Sequence, residues 1–420
     1  MHLGVAFPPA GGTLLTGAVH LSAIFFASSK MSRKVLRKLH VFASSPARPR
    51  RPARRPSQRN TPSLNCFQGP LNLARDTPCV RLRYVSNLTA DVIVDLQYGD
   101  CGKGKVAHDL CKTTPYTHVL RYNGGANAGH TIFHNGKKFI THQIPAGVFF
   151  GIKSVIGNGC VVDPIQFFDE LKMLDAGGVD TKGKIFVAEN AHVITSAHRE
   201  EDKREGLRIG TTGRGNGPAY REKYGRTGRR ANDVPELAPY LLDLYAEWFG
   251  EEDVYMLCEG AQGFGLDIDW GDYPFVTSSH CTTAGALLNG LPHTAVKDVW
   301  GVAKVYETYV GSKKFQPDGD IFNKIGDVGE EFGATTGRRR QTNWMNMQAL
   351  ERAVRINGVT KIVFNKVDVL RAVGAWAVYE HENKLAFQSG DEMNTFITDR
   401  LSSLGIAKEN VHFSESKDKI

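Results

Sequence analysis

The chain has 420 residues, 41% hydrophobic and 23% charged, the composition of a globular protein with room for one large or two medium domains. Its formal charge of +8 does not mark a nucleic-acid binder: residues 1–75 hold nine Arg, three Lys and no acid, and these twelve positive charges exceed the total, so the other 345 residues are net negative by four. No apolar run reaches roughly 18 residues, which excludes a predicted membrane-spanning helix, and seven scattered cysteines without a C-x-x-C pair predict reduced thiols rather than a zinc site or disulfide framework.

In chain order, residues 1–88 read as a basic, disordered extension. The apolar stretch 13–27 lacks a preceding charge and contains His20, so it does not read as a secretory signal. Two readings remain: an organellar transit peptide, or a start codon at Met31 or later. Cytoplasm is the expected compartment, with plastid or mitochondrion the alternative if the extension is a transit peptide. Deleting residues 1–80 is expected to leave activity and melting temperature unchanged, because the stretch has no periodic apolar face. A drop of several degrees in a thermal melt would show that it docks.

A catalytic domain is predicted over 89–420. DVIVDLQY (91–98) reads as a buried strand, followed by a glycine-rich loop and a helix. THVLRYNGG (117–125) and KSVIGNGCVV (153–162) read as two further strands. DPIQFFDELKMLDAGG (163–178) reads as a helix capped by Asp163, opened by Pro164 and stopped at Gly177-Gly178, with Ile165, Phe168, Leu171 and Leu174 as its apolar face. Later strands are VYMLCEG (254–260), VWGVAKVYE (299–307) and KIVFNKVDVL (361–370), with a helix over 345–358 between the last two. This alternation predicts an α/β fold, P-loop-NTPase-like, with a largely parallel central sheet and flanking helices.

Four glycine-rich segments sit where strands end: GDCGKGK (99–105), NGGANAGHT (123–131), GTTGRGNGPAY (210–220) and EGAQGFGLDID (259–269). In parallel sheets these ends form the ligand crevice, and glycines let backbone N–H groups approach phosphate. Lys103, Asn127, His130, Thr212 and Gln262 are thereby placed at the crevice. The first segment matches the G-x-x-x-x-G-K frame of a phosphate-binding loop, from Gly99 to Gly104 and Lys105, but Val106 replaces the usual metal-binding hydroxyl and Asp100 lies inside the loop. NKVD (365–368) at a strand end matches the guanine-reading N-K-x-D pattern, in which Asp368 would accept from both guanine N–H groups; as the last sheet element after an N-terminal phosphate loop it repeats GTP-binding order. The EFGATTGRRR segment (331–340) gathers Thr335, Thr336, Arg338 and Arg340, donors suited to carboxylates and phosphates. His130 opposite Asp100 forms a candidate acid and base pair.

Taken together, QYGDCGKGK, GGANAGHT, GTTGRGNGPAYREKYGR, CEGAQG with LDID and GDYPFVTSS, EFGATTGRRR and NKVDVL resemble, in order, the adenylosuccinate synthetase family, in its compact, archaeal-like form. The resemblance covers residues 89–420. It implies a carbon–nitrogen ligase that joins L-aspartate to IMP with GTP and Mg²⁺ through 6-phosphoryl-IMP, acting as a homodimer, with no nucleic-acid or membrane partner. It implies Asp100 as general base and metal ligand, His130 as its catalytic partner, and the Gly129 carbonyl on the metal. GTP would meet Gly99, Gly102, Lys103, Gly104, Lys105, Gly129, Thr131, Arg340, Lys366, Asp368, Ser414 and Ser416. IMP would meet Asp100, Lys103, Asn127, His130, Thr212, Gln262, Thr277 and Arg338, with Arg226 reaching in from the other subunit. Aspartate would meet Ala334, Thr335, Thr336, Arg338 and Arg340. The chain departs from the family at Cys101, where an acid is usual, at YVGSKKFQP (309–317) and in SESKDKI (414–420), which lacks a Thr-Gly-Pro guanine contact. Two alternatives stand: the phage-type relatives that use dGMP or GMP, and a GTP-dependent switch or RNA-binding protein using the basic extension.

Overall fold

The computed structural model describes residues 87–333, 337–416 and 420. All but the last two positions of the predicted extension, together with Cys66, Cys79 and residues 334–336, lie outside the described residues. Leu88 already belongs to the first strand, one residue before the predicted start of order.

Among the described residues, nine strands form the central sheet: β1 (Leu88–Asp95), β2 (His118–Arg121), β3 (Lys153–Ile156), β4 (Ile185–Ala188), β5 (Leu241–Leu242), β6 (Val254–Glu259), β7 (Val296–Lys304), β8 (Lys361–Asn365) and β9 (Val411–Phe413). Their order is β5-β4-β3-β2-β6-β1-β7-β8-β9, and every neighbouring pair is parallel. The sheet is flanked by helices, the first being Lys103–Thr113. A central parallel strand is covered on both faces, which is why β1 and β6 are apolar without alternation. Val92, Ile93 and Val94, with Met256, Leu257 and Cys258, are fully buried. Each such side chain contributes about 1.5–3 kcal/mol.

Five adjacent strands, β2, β6, β1, β7 and β8, end in buried polar residues: Arg121, Glu259, Asp95, Lys304 and Asn365, in sheet order. Parallel pairing delivers these ends to one edge of the sheet, where ligands bind in such folds.

Several predicted elements differ. KSVIGNGCVV is two strands: β3 stops at Ile156, and Cys160–Val162 joins a separate small sheet with Gly124–Gly125 and His192–Val193. The break is a close approach at Gly159, where an added Cβ would lie 2.0 Å from the Tyr122 carbonyl oxygen. VWGVAKVYE also divides: β7 ends at Lys304, and Tyr306–Tyr309 pairs antiparallel with Gln341–Asn346. KIVFNKVDVL is strand only to Asn365. Lys366 turns left-handed (φ 70°), and Val367–Val373 is a helix that buries Val367, Val369, Leu370 and Val373. Nor is it the last sheet element, since β9 follows and pairs with β8. The helix Pro164–Ala176 has the predicted ends, with Asp163 accepting from the amides of Ile165 and Gln166. Its buried face is Phe167, Leu171 and Leu174, while Ile165 is 60% exposed. Buried Glu170 sets that rotation by accepting the amides of Gln143 and Ile144. Among the described residues, five cysteines are free, buried thiols: Cys101, Cys111, Cys160, Cys258 and Cys281.

Candidate active site

Asp95, the last residue of β1, shapes the loop that follows. Its carboxylate accepts the amides of Gln97 (3.0 Å), Gly99 (3.2 Å) and Cys101 (3.0 Å), and the Lys103 ammonium (3.0 Å). Lys103 also donates to the Gln262 carbonyl, tying the first and fourth glycine-rich segments together. Gly102 caps the helix Lys103–Thr113 with φ 102°, and an added Cβ would lie 2.8 Å from Asn365 Nδ2. That amide donates to the Cys101 carbonyl at 2.7 Å, so the Asn of NKVD anchors the phosphate loop. Cys101 is buried, its Sγ 3.1 Å from Gln97 Oε1, and burial with the Asp95 carboxylate pushes its thiol well up. It is a packing residue.

An open cleft of about 1050 Å³ lies at this sheet edge. It is lined by Gly99, Asp100, Gly102, Lys103, Gly104, Asn127, Gly129, His130, Thr131, Thr212, Gln262, Arg338 and Arg340. The four glycine-rich segments and the arginine loop therefore converge, but only three of the segments follow a strand: GTTGRGNGPAY comes after the helix Ser196–Glu205 and the turn Gly206–Arg208, where the sequence predicts a strand end. Thr277 lines an adjoining cavity that shares Asn127, Thr212 and Gln262. Arg338 bridges toward the third segment, donating to the carbonyls of Gly210 (3.1 Å) and Thr211 (3.3 Å).

Asp100 sits at φ 57°, a left-handed conformation held by the loop around it. Its side chain is 35% exposed to the cleft, and one oxygen accepts Arg340 Nε (3.0 Å) and Nη2 (2.7 Å). Burial opposes its charge, but Arg340, Lys304 and Lys103 more than offset that and lower its pKa. Asp100 is thus a carboxylate in the resting cleft.

His130 opens the hairpin strand His130–His134 and faces buried Glu259 through Nδ1. Arg121 Nη1 lies 3.0 Å from Nδ1 and 2.9 Å from Nε2. Burial and then Arg121 lower the His130 pKa to about 4, so the ring is neutral near pH 7. Burial pushes Glu259 up, but Arg121 and His130 prevail and hold it at about 2. Its other oxygen accepts the Ala146 amide at 2.8 Å.

Other predicted residues lie outside the lining of this cleft. Lys105 donates to Ser414 Oγ (2.9 Å) and to the Ser416 carbonyl (3.1 Å), joining the helix after the phosphate loop to the C-terminal segment. Lys366 donates to the Gly329 carbonyl at 2.8 Å. Asp368 is half-buried in the first turn of Val367–Val373. Arg226 is exposed, at the C-terminal end of the helix Asn216–Gly225, and lines neither cavity. Ala334, Thr335 and Thr336 fall outside the described residues.

Sequence reasoning missed Asp95, Arg121, Glu259, Lys304 and Glu331. A signal was present, since each of the first four is the charged last residue of its strand, directly after at least two apolar residues.

Next to Thr308, which lines the cleft, Glu307 of Tyr306–Tyr309 is buried, and burial raises its pKa to about 8. A carboxyl raised on folding contributes stability present at low pH and lost as pH rises through the folded value. Stability should therefore fall between about pH 5 and pH 8, and Glu307→Gln should flatten that fall. Thermal melts at pH 6 and pH 9 check it, and an unchanged slope in the variant would refute it.

The family model described as adenylosuccinate synthetase matches residues 92–248 and 236–394. The adenylosuccinate synthetase of Chlorobium limicola is 38% identical over 340 residues, covering 67% of this chain and 77% of that protein. That of Bacteroides fragilis is 35% identical over 376 residues, covering 76% and 86%. The fully ligated adenylosuccinate synthetase structure from Plasmodium falciparum aligns with TM-score 0.67 and 25% identity over 79% of this chain and 98% of that one. The succinoaminodeoxyadenylate synthetase of cyanophage S-2L, bound to dGMP and dATP, shares the fold at TM-score 0.61 and 22% identity, over 80% and 94%.

Proposed function

The chain belongs to the adenylosuccinate synthetase family, and from that premise we propose that it ligates L-aspartate to IMP at the expense of GTP, through 6-phosphoryl-IMP, giving adenylosuccinate, GDP and phosphate. The observation that carries this reading is the convergence of Asp100 and His130 with a phosphate loop and Arg340 in one cleft.

In this reading Asp100, ionised in the resting cleft, takes the proton from the purine N1. The 6-oxygen gains negative charge and attacks the γ-phosphate. That charge favours the imidazolium form of His130, which takes its extra proton from solvent in the cleft, countering the effect of Arg121, and holds the 6-oxygen as a hydrogen-bond donor. Buried Glu259 accepts from Nδ1 and fixes the ring. The amine of aspartate then displaces phosphate from carbon 6, with Arg338 and Arg340 as donors for its carboxylates. Thr212, Asn127, Gln262 and Thr277 serve the nucleoside monophosphate.

The donors suit Mg²⁺: a carboxylate oxygen of Asp100 that Arg340 does not engage, and the backbone carbonyl of Gly129 at the same cleft. Bound there, the ion would neutralise phosphate charge. Arg226 is exposed and lines neither cavity of its own chain, which supports a role in a partner subunit's site within a homodimer. Among the described residues no helix is long and apolar enough to cross a membrane.

The test is a substrate panel: IMP, GMP and dGMP against GTP and ATP, with aspartate, scored by phosphate release and product mass. Product from IMP with GTP is expected. Preference for dGMP would move the chain to the phage-type reaction. No turnover together with filter-bound RNA that depends on residues 1–80 would favour the switch or RNA-binding alternative.

A further inference from the structure

Glu331 is fully buried at the root of the arginine loop, and the reaction as drawn gives it no role. Its carboxylate accepts the Lys304 ammonium on both oxygens (2.9 and 2.8 Å), the Tyr306 hydroxyl (2.6 Å) and Arg340 Nη1. Its main-chain carbonyl accepts the Arg340 amide at 2.9 Å. Lys304 also donates to Thr308 Oγ1 at 2.9 Å, and Thr308 lines the cleft. The Lys304 backbone is clasped by Gln97, just before the phosphate loop, through two hydrogen bonds of 3.0 Å. Lys304 and Glu331 are thus held by the sheet, and Arg340 is held by Glu331.

The guanidinium is gripped on its Nη1 side, while Nε and Nη2 point at Asp100. An arginine on a glycine-hinged loop would otherwise lose side-chain freedom when it binds an anion. Glu331 removes that freedom in advance. It also separates two cations, Lys304 and Arg340, that would repel each other in a dry interior. The first and second largest influences holding Glu331 ionised against its burial are these same two cations, and its pKa is lowered to about 2. Glu331 therefore stays ionised near neutral pH.

We infer that Glu331 is a positioning residue for the acceptor end of the cleft: it fixes Arg340 at the cleft wall, its Nε and Nη2 facing Asp100, as the donor for a carboxylate of aspartate in the reaction. The inference rests on the proposed function for the identity of that anion, and on geometry alone for the clamp.

Two variants test it. Glu331→Gln removes the charge and keeps the shape. Glu331→Asp keeps the charge beside Lys304 but withdraws it from Arg340 by one methylene, so it carries the test if the Gln variant leaves Lys304 unpaired and fails to fold. Steady-state kinetics should show KM for aspartate raised on the order of tenfold, the loss expected for one charge-assisted contact, with KM for IMP within twofold. In arginine-labelled protein, the Arg340 Nε–H resonance should be sharp in the parent and broadened in the variants. KM for aspartate within twofold of the parent, or an equal rise for all three substrates, overturns the inference. An unchanged Arg340 signal does so as well. If the parent forms no product from IMP, aspartate and GTP, the proposed function fails, and the resonance still decides the clamp.

Discussion

Asp100→Asn should lower turnover on the order of 10²–10⁴ while leaving the fold intact, the usual span for loss of a general base. The fold should survive because Asn tolerates the left-handed conformation that Asp100 adopts at φ 57°. The lost ion pair with Arg340 involves a side chain one-third exposed, so screening limits its contribution to about 1 kcal/mol or less. That is too little to unfold a domain with this core, and the effect on rate should stand clear of any effect on stability. An amide cannot take the N1 proton and is a poorer Mg²⁺ ligand. Single-turnover phosphate release, beside a thermal melt, checks it. Turnover above a tenth of the parent's would exclude Asp100 as the base.

The second large effect concerns nucleotide choice. Asp368→Asn should weaken GTP on the order of 10²-fold, because one acceptor becomes a donor facing guanine N–H groups in a site built for them. The same change should help xanthosine triphosphate, which presents an acceptor where guanine carries its amine. Asp368 occupies the first turn of the helix Val367–Val373, where an acid also gains about 0.3–1 kcal/mol from the helix dipole. Loss of that term would lower stability slightly and would not discriminate between nucleotides. The competing view assigns guanine to the C-terminal segment, which adjoins this turn: the Val367 amide donates to the Ser414 carbonyl, and Lys105 holds Ser414 and Ser416. Steady-state kinetics with GTP, ATP and xanthosine triphosphate decide between them. A KM for GTP within twofold of the parent and no gain for xanthosine triphosphate would reduce Asp368 to a helix-end charge.

Much of the cleft was legible from residue order. Three of the four glycine-rich segments follow a strand of the central sheet, and parallel strands bring such ends together whatever their separation in the chain; the third follows the charged helix Ser196–Glu205, so its arrival at the cleft is set by tertiary packing. What could not be read is which side chains face each other. Asp100 and Arg340 are 240 positions apart, and His130 and Glu259 are 129 apart. Their pairing is a product of strand order, in which β6 lies between β2 and β1 although it follows both in the chain. Sequence spacing holds no record of that order.

The sequence by itself determined the elements whose causes are local. Asp163, Pro164 and Gly177 delimit their helix because caps act within one turn. The phosphate loop follows β1 because its glycines permit the turn and Asp95 can reach it from four to eight residues away. Only the tertiary structure decided where apolar runs break. KIVFNKVDVL changes from strand to helix at Lys366, where the Asn365 side chain is committed to the Cys101 carbonyl and the Val367 amide to Ser414. VWGVAKVYE leaves the sheet at Lys304, whose buried ammonium finds Glu331 and Thr308. A short apolar run suits strand or buried helix equally well. Distant polar partners break that tie, because a buried donor or acceptor left unpaired costs about 1–3 kcal/mol, more than the local preference at stake.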